Sequence, residues 1–524
     1  MKTIYWRRVF CHPECSSSRI PRRFAPLDRL RERSNALALA ITDPLDSSLR
    51  PTGSIQNDTI MNFGKLFIIG FDSLVLTEEL KEKLLKLEPA GVILYDCNIE
   101  SKDQVKKLIS DLKNLLGEDL LVSVDQEGGK VQRLRKICTD LPSLKALGIA
   151  AQKDESYLEL HSRTLAIELV ELGFNLVYAP CADLNTNPAN PIIGSRSLGK
   201  EPAIVSKQLT KIHNSYRDSG LISCAKHYPG HGDAGVDSHL DLPLIKRTKE
   251  ENDFHLRPFK ALIKNNIEMI MIAHLVINEG LPASINPEII NKLRKELDFK
   301  GIVISDEITM KALSQFGDYS KIAELLIKAG NNLIIWNTNL DDALRTADYL
   351  NILSQTDKEL KRHCELSLKI IHRHCEEWQN CYDVAIQTKN PKLDCDASLA
   401  MTEIAKLGIE IKNKKPISLE DFVIVINNHP KLEKETILSS LRGMNEVNDV
   451  AIQTINESRI NSNKFAILIE FQIKDSDLKL IHEQIKPENL LHVSTDICHP
   501  EADICLNGAS VSHYQALKKL LTNN

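Results

Sequence analysis

The stretch LISCAKHYPGHGD, residues 221–233, contains the pattern on which the fold prediction rests. Its first half is a short apolar run with small and β-branched residues, which is typical of a buried β-strand. Its second half is polar and contains glycines and a proline, so the chain leaves the strand as a loop. The stretch therefore predicts a buried strand whose carboxyl end carries reactive side chains.

The same arrangement recurs along residues 61–336. Short apolar runs alternate with longer amphipathic stretches, such as 77–87, 102–116 and 321–329, that have helical periodicity. Eight strands alternating with helices predict an α/β fold, a closed (β/α)8 TIM-like barrel, with a doubly wound parallel sheet as the alternative. The eight runs are 66–71, 91–95, 120–125, 176–180, 221–226, 269–274, 301–306 and 332–336.

The chain of 524 residues is too long for one ordinary domain, and its character changes along its length. We expect residues 1–60, which are rich in Arg, to be a disordered extension or a stretch translated ahead of a start at Met61. An organelle-targeting segment is the alternative. We expect residues 61–385 to form the catalytic barrel, 386–398 a linker, and 399–524 a second, smaller C-terminal α/β domain of three layers (αβα). The apolar runs of that domain are 422–426, 449–455, 465–471, 490–493 and 502–506.

Composition and charge exclude several classes of protein. Hydrophobic residues make up 42% and charged residues 26% of the chain, which is typical of globular proteins. The net charge of −5 leaves no basic excess for nucleic acid, and the longest nearly apolar run, 269–277, is far shorter than the roughly 20 residues of a membrane span. The 12 Cys are sparse and irregularly spaced, as in reduced proteins. We expect a cytoplasmic monomer that binds neither nucleic acid nor membrane.

The densest polar cluster follows the predicted strand at 221–226. Lys226 and His227 at the strand end can direct two hydrogen-bond donors into a barrel mouth. Asp237 and His239 lie two residues apart, so the carboxylate can orient the imidazole as a proton shuttle near neutral pH. The alternatives are a purely hydrogen-bonded loop and a metal site formed by His227, His231, Asp233 and His239.

Two acids, Asp306 and Glu307, follow the apolar run at 301–306 directly. A carboxylate that leaves a buried strand is desolvated at a cost in free energy unless something uses it. Asp306 is therefore a candidate covalent nucleophile or metal ligand. The alternative is that these acids cap a helix that begins near Thr309.

Three further clusters end predicted strands. Asp125 and Glu127 precede paired glycines. Asp125 can bind two vicinal hydroxyls of a ligand, and Arg133 can donate hydrogen bonds to the same ligand. The alternative is that the two acids cap a helix. A rigid loop rich in Asn and Pro leads to Arg196. His274 is a single histidine at the end of its strand, and such a histidine more often has a structural role. Five polar clusters at the carboxyl ends of strands of one barrel are difficult to explain by structure alone, and we expect an active site there.

Four motifs occur in a fixed order: DQEGG at 125–129, NPANP at 187–191, KHYPGHG at 226–232 with DSH at 237–239, and SD at 305–306. In this order they resemble glycoside hydrolase family 3, over about residues 61–378. More narrowly, they are similar to its bacterial β-N-acetylglucosaminidases, which cleave fragments of GlcNAc and 1,6-anhydroMurNAc in peptidoglycan recycling. The resemblance implies a retaining exo-β-N-acetylglucosaminidase that acts on a small carbohydrate and uses no cofactor and no metal. A family 3 β-glucosidase or β-xylosidase, or a catalytically silent sugar-binding protein, is the alternative.

The resemblance also implies a role for each matching position. Asp306 corresponds to the nucleophile, His239 to the acid/base and Asp237 to the partner of that histidine. Glu307 stands where the subgroup commonly has a second Asp, and phosphorolysis is an alternative to hydrolysis. The C-terminal domain is expected not to be needed for the chemistry. Substrate-binding positions are Asp125, Arg133, Arg196, Lys226 and His227.

Overall fold

The computed structural model describes residues 61–387, except 237, 239–240 and 338, and six short strands beyond residue 409. Eight parallel strands form the centre of the larger part. They are buried along almost their whole length, as expected for strands that are covered on both faces. The strands are β1 (Phe67–Ile69), β2 (Gly91–Leu94), β3 (Leu121–Val124), β4 (Leu176–Val177), β5 (Ile222–Tyr228), β6 (Met269–Ile272), β7 (Ile302–Ser305) and β8 (Ile334–Trp336).

The eight strands close on themselves. Each strand pairs in parallel with the next in sequence from β1 to β7, and β8 pairs with β1. An isolated bridge between Ile304 and Leu333 joins β7 to the start of β8, and the Ser305 N–H donates to the Leu333 carbonyl at 3.0 Å. The predicted (β/α)8 barrel is therefore confirmed, and the doubly wound sheet is excluded. Each predicted apolar run overlaps its strand.

Helices surround the barrel in the part of the chain that the structure describes. Helix α1 (Glu78–Leu87) shows why these segments form helices that pack on the barrel. The Thr77 side chain accepts a hydrogen bond from the Leu80 N–H and caps the helix, while Leu80, Leu84 and Leu87 form its buried face. None of the described helices is long and apolar enough to cross a membrane. The helices are α1 (Glu78–Leu87), α2 (Lys102–Leu116), α3 (Leu144–Ala150), α4 (Ser156–Leu172), α5 (Pro202–Asp218), α6 (Lys249–Lys264), α7 (Pro287–Lys295), α8 (Tyr319–Ala329), α9 (Leu340–Leu353) and α10 (Lys358–Gln387).

The six strands beyond residue 409 form a second sheet. They are β9 (Glu410–Ile411), β10 (Phe422–Ile426), β11 (Ala451–Gln453), β12 (Phe465–Glu470), β13 (Leu490–Ser494) and β14 (Ile504–Cys505). Their order in the sheet is β9-β14-β13-β12-β10-β11. All neighbours are parallel except β9 and β14. Five of the strands overlap the five predicted runs, whereas β9 was not predicted, because two residues give no periodic signal. The domain limits stay predictions, since residues 1–60 and 388–398 lie outside the described part.

Candidate active site

The polar residues predicted from the sequence lie where the barrel strands end. Asp125 follows β3, Lys226 and His227 are near the end of β5, and Asp306 follows β7. All barrel strands run in the same direction, so their carboxyl ends meet at one open end of the barrel. The fold therefore places Asp306 and the predicted sugar-binding residues at the same end.

A buried carboxylate, Glu127, joins two of the predicted sugar-binding cations. The Lys226 ammonium donates to Glu127 at 2.6 Å and to Asp125 at 2.7 Å. Arg196 binds Glu127 with two parallel hydrogen bonds, from Nε at 3.0 Å and from Nη2 at 2.8 Å. The Glu127 side chain is only 1% exposed. The alternative in which Asp125 and Glu127 cap a helix is therefore wrong.

The charges of this cluster stabilise one another. Burial alone would raise the pKa of Glu127, but the positive charges of Arg196 and Lys226 outweigh burial and hold this pKa well below its usual range. Burial alone would lower the pKa of Lys226, but Asp125 and Glu127 raise it above its usual value. Glu127, Arg196 and Lys226 are therefore ionised near neutral pH. Removing Glu127 would leave Arg196 without a carboxylate partner in this cluster, which is far more costly than losing a surface ion pair.

A second buried carboxylate, Asp183, holds His227. The imidazole Nδ1 lies 2.7 Å from the Asp183 carboxylate, which also accepts from the backbone N–H of His227 at 3.1 Å and of His231 at 2.6 Å. The His227 Nε2 lies 3.2 Å from Nη2 of Arg196. Arginine can only donate, so Nε2 must be an acceptor and the ring proton must be on Nδ1. The cluster thus fixes the tautomer as well as the orientation of His227.

Arg133 is separate from the buried cluster. Its guanidinium carbon lies 5.6 Å from the centre of the Tyr95 ring, and its Nη1 lies 3.4 Å from the carboxylate of Asp96. Burial and the nearby charges of Asp125 and Glu307 raise the pKa of Tyr95. Tyr95 directly follows β2, and Arg133 lies over its ring.

Asp306 is the first residue after β7. Its backbone N–H donates to the Ile272 carbonyl at 3.0 Å, and its carboxylate accepts from the Glu307 N–H at 2.9 Å. The Glu307 carboxylate accepts from the Thr309 hydroxyl, and burial, with the charge of Asp306, raises the pKa of Glu307. The alternative, in which these acids cap a helix that begins near Thr309, is wrong. A 3-10 helix begins there only at residue 311, and Met310 at its N-cap has no side-chain capping bond.

His274 forms a hydrogen bond to the loop that contains Asp306. Its Nε2 lies 3.0 Å from the Glu307 carbonyl and its Nδ1 lies 2.7 Å from the Ser284 hydroxyl. Because a carbonyl can only accept, Nε2 carries the proton and Nδ1 accepts from the serine. The structural interpretation of His274 therefore fits this geometry.

The metal site considered from the sequence does not fit the described residues. Asp233 pairs with Arg247 at 2.7 Å, and His239 lies outside the described part. Cys181, Asp183 and His227 do bring three ligand atoms within 4.8 Å of one another. However, the 2.7 Å between Asp183 and His227 is a hydrogen-bond distance, whereas two ligands of one tetrahedral zinc lie more than about 3 Å apart. This group is a hydrogen-bonded network.

Sequence reasoning missed Glu127 and Asp183 as functional residues. Glu127 stands inside the DQEGG motif and Asp183 precedes the NPANP motif, but neither was assigned a functional role. A signal was present for Glu127: a lysine and an arginine that end in a buried site need carboxylates to balance them. The two predicted catalytic residues Asp237 and His239 lie outside the described residues.

A cavity of about 480 Å³ lies at the other end of the barrel. Its lining includes Leu221, Glu268 and Gly301, which stand at the amino ends of β5, β6 and β7. None of the predicted site residues that the structure describes lines it. The candidate active site is therefore at the carboxyl ends of the strands.

Comparisons with known proteins relate the barrel to one family. Residues 62–364 match the model of the glycosyl hydrolase family 3 N terminal domain. A beta-hexosaminidase from Hydrogenovibrio crunogenus is 34% identical over 276 residues, which are 51% of this chain and 77% of the relative. NagZ from Neisseria gonorrhoeae, solved in complex with N-trifluoroacetyl-D-glucosamine, has 27% identity and a TM-score of 0.55, covering 66% of this chain and 99% of its own.

A second solved structure shares the fold over more of the chain. The glycoside hydrolase family 3 beta-N-acetylglucosaminidase from Paenibacillus sp. str. FPU-7 has a TM-score of 0.75. The similarity covers 88% of this chain and 95% of that structure, with 24% identity. At this level of identity the similarity shows the fold alone.

Proposed function

The chain belongs to glycosyl hydrolase family 3, and on that premise we propose that it is a retaining exo-β-N-acetylglucosaminidase. Its substrate would be a small carbohydrate with a terminal, non-reducing β-linked N-acetylglucosamine. The observation that carries the proposal is the buried cluster of Asp125, Glu127, Arg196 and Lys226 at the same barrel end as Asp306. It supplies fixed donors for sugar hydroxyls beside a carboxylate that can act as a nucleophile.

The cluster is suited to binding hydroxyl groups. Lys226 has three ammonium protons, and among the described residues two of them are donated to Asp125 and Glu127. The third can be donated to a ligand. Asp125 is the more exposed of the two acids, with 20% of its side chain accessible, so it can accept from a sugar hydroxyl as well as from Lys226.

In the proposed reaction Asp306 attacks the anomeric carbon and the bond to the leaving oxygen breaks. His239, oriented by Asp237, gives its proton to that oxygen. Water then attacks the glycosyl–Asp306 ester, His239 takes a proton from the water, and the sugar leaves with retained configuration. The roles of Asp237 and His239 rest on the resemblance of the DSH motif to the family.

We infer a muropeptide fragment as the substrate in cell-wall recycling, a monomeric enzyme and a cytoplasmic location. The location is supported by six free thiols in the described barrel, which are Cys97, Cys138, Cys181, Cys224, Cys364 and Cys375. Reduced, buried thiols such as Cys181 and Cys224 are typical of a reducing compartment.

The proposal is tested by comparing the wild-type protein on 4-nitrophenyl β-glycosides of GlcNAc, glucose and xylose, with and without phosphate. We expect turnover of the GlcNAc substrate, release of free GlcNAc in both buffers, and little turnover of the other two. Glucose or xylose release at a higher rate would favour the alternative activities of the family. GlcNAc 1-phosphate as the product would show phosphorolysis, and binding of GlcNAc without any turnover would indicate a silent sugar-binding protein.

A further inference from the structure

We propose that Arg247 is a positioning residue for acid/base catalysis, because it holds together the two ends of the segment 234–242. That segment contains Asp237 and His239, so this inference rests on the proposed function. Arg247 has no place in the four motifs that resemble the family. Its role is argued from its own contacts, all of which lie in described residues.

The Arg247 side chain binds the chain before the segment. Its Nη1 donates to the Pro229 carbonyl at 3.2 Å and its Nη2 to the Gly230 carbonyl at 3.0 Å. Nε donates to one carboxylate oxygen of Asp233 at 2.7 Å, and Nη2 also binds the other oxygen. The whole guanidinium fork is therefore used on one short turn, directly after strand β5, which contains His227.

The Arg247 backbone is fixed to the chain after β6. Its N–H donates to the Asn278 side chain at 2.8 Å, and the Asn278 amide donates back to the Arg247 carbonyl at 3.0 Å. Residues Leu244–Ile245 pair in parallel with Val276–Ile277 just before it. Arg247 thus connects three parts of the chain: the turn at 229–233 before the segment, the residues at 244–247 after it, and the loop after β6.

Gly230 allows this close approach. It has a φ of +106°, and a Cβ there would lie 3.2 Å from the Cβ of His255 and 3.5 Å from Nη2 of Arg247. His255 lies 3.6 Å from the Asp233 carboxylate, but burial and the charge of Arg247 lower its pKa to about 4. Near neutral pH the charge of Asp233 is therefore balanced by Arg247 and not by the histidine.

This arrangement matters for catalysis because a general acid must lie within hydrogen-bond reach of the leaving oxygen. A displacement of about 1 Å can cost about 100-fold in rate. Lysine cannot reproduce the planar fork that binds two carbonyls and a carboxylate at once. Arg247→Lys should therefore misplace the acid/base while the nucleophile, on β7, keeps its position.

Arg294 is the control, since it is a half-buried arginine that also binds loop carbonyls. It donates to the Phe299 carbonyl at 3.0 Å, to the Gly301 carbonyl at 2.6 Å and to the Asn332 side chain at 2.6 Å. Gly301 immediately precedes β7, so these contacts lie at the opposite end of the barrel from the candidate active site. Arg294→Lys removes an equivalent set of bonds without touching the site.

The experiment compares two aryl β-GlcNAc substrates on the full-length protein. A 2,4-dinitrophenyl leaving group needs no protonation, whereas a phenyl leaving group does. For Arg247→Lys we expect kcat/KM to fall at least about tenfold more on the phenyl substrate than on the dinitrophenyl substrate, since general acid catalysis contributes about 100- to 10,000-fold. Arg294→Lys should lower the thermal midpoint and leave the ratio of the two substrates at the wild-type value.

A ratio for Arg247→Lys that equals the wild-type ratio would overturn the positioning role, whatever the change in stability. If that variant does not fold, Asp233→Asn, which keeps the shape and removes the charge of the same contact, is judged by the same ratio. A wild-type protein that turns over neither substrate would overturn the proposed function and this inference with it. Failure of the inference alone leaves an active wild-type enzyme, so the two outcomes are distinct.

Discussion

Glu127 is the residue on which the charged cluster depends. It is the common partner of Arg196 and Lys226, and its removal would leave two cations in a site from which water is largely excluded. The same carboxylate fixes the direction in which both cations point, and Arg196 in turn contacts His227. Sugar binding and stability are therefore coupled at this one side chain.

We expect Glu127→Gln to lower the free energy of unfolding by about 3–5 kcal/mol, because breaking a buried pair leaves uncompensated charge. KM for the GlcNAc substrate should also rise. Urea unfolding at pH 7 and steady-state kinetics measure the two effects. The control is Glu155→Gln, whose partners Lys207 and Lys211 lie on the surface, and it should change neither value measurably. Equal behaviour of the two variants would contradict the role given to Glu127.

Glu268 is a buried carboxyl group whose pKa is raised, whereas the pKa of Glu127 is lowered. The Ser223 hydroxyl lies 2.9 Å from Nδ1 of His213 and 3.1 Å from the Glu268 carboxyl. The His213 Nε2 lies 3.0 Å from the Asn265 carbonyl, which can only accept, so a neutral ring carries its proton on Nε2 and Nδ1 accepts the Ser223 proton. The contact between Ser223 and Glu268 is then a hydrogen bond only when Glu268 is protonated and donates. Burial lowers the pKa of His213 to about 4 and raises that of Glu268 to about 7, which agrees with this proton arrangement.

The raised pKa of Glu268 predicts a pH dependence of stability. Below pH 4.5, its ordinary value, the group is protonated in both states and has no effect. Between pH 4.5 and about 7 only the unfolded chain loses the proton, so the free energy of unfolding falls with rising pH, by up to about 3 kcal/mol. Glu268→Gln should remove this loss, and unfolding curves at pH 4.5 and 8 measure it. Parallel pH profiles of the two proteins would contradict the assignment.

At the scale of elements, Asp183 connects the loop after β4 to β5 and to the turn that follows β5. It accepts from two backbone N–H groups and from the His227 ring. Burial alone would raise its pKa, but His227 and His231 hold it well below the usual range. The carboxylate therefore stays charged and sets the geometry of the strand end.

Asp183→Asn keeps the size of the side chain but weakens three charge-assisted hydrogen bonds. We expect KM for the GlcNAc substrate to rise about tenfold or more, because His227 loses its fixed tautomer and orientation. Steady-state kinetics at pH 7 measure this effect. Asp111→Asn, at a surface pair with Lys107 on α2, is the control and should leave KM unchanged. A KM for Asp183→Asn within twofold of the wild-type value would argue against a role in positioning His227.

The elements were easier to predict than the contacts within the site. Apolar runs rich in β-branched residues mark the buried strands, and their number indicated a closed barrel. Which carboxylate pairs with Lys226 depends on distances across neighbouring strands, so Glu127 was quoted in a motif without a role. Arg133 was placed with the sugar-binding residues, yet its described contacts are with Tyr95 and Asp96. The pairing of Asp237 with His239 stays a prediction.

At the scale of the whole molecule, the described site residues all lie in the barrel. The matched beta-hexosaminidase of Hydrogenovibrio crunogenus is covered to 77% by a stretch of 276 residues, so it is little longer than the barrel itself. Residues 399–524 contribute a separate six-stranded sheet to the fold. These observations support the proposal that the chemistry does not require that part of the chain.

We therefore expect a chain that ends after residue 398 to keep kcat/KM for aryl GlcNAc within about threefold of the full-length value. Circular dichroism would establish that the shortened chain is folded before its kinetics are measured. A folded but inactive shortened chain would mean that the second sheet contributes to the site.

The central claim is that Asp306 forms the covalent bond to the sugar, and trapping of the intermediate tests it most directly. The wild-type protein is incubated with a fluorinated N-acetylglucosaminyl fluoride that forms the glycosyl–enzyme quickly and hydrolyses it slowly. Intact mass and peptide mapping then locate the label. We predict one added sugar per chain, on the peptide that contains Asp306, and none in Asp306→Ala. A sugar attached to any other side chain would contradict the account.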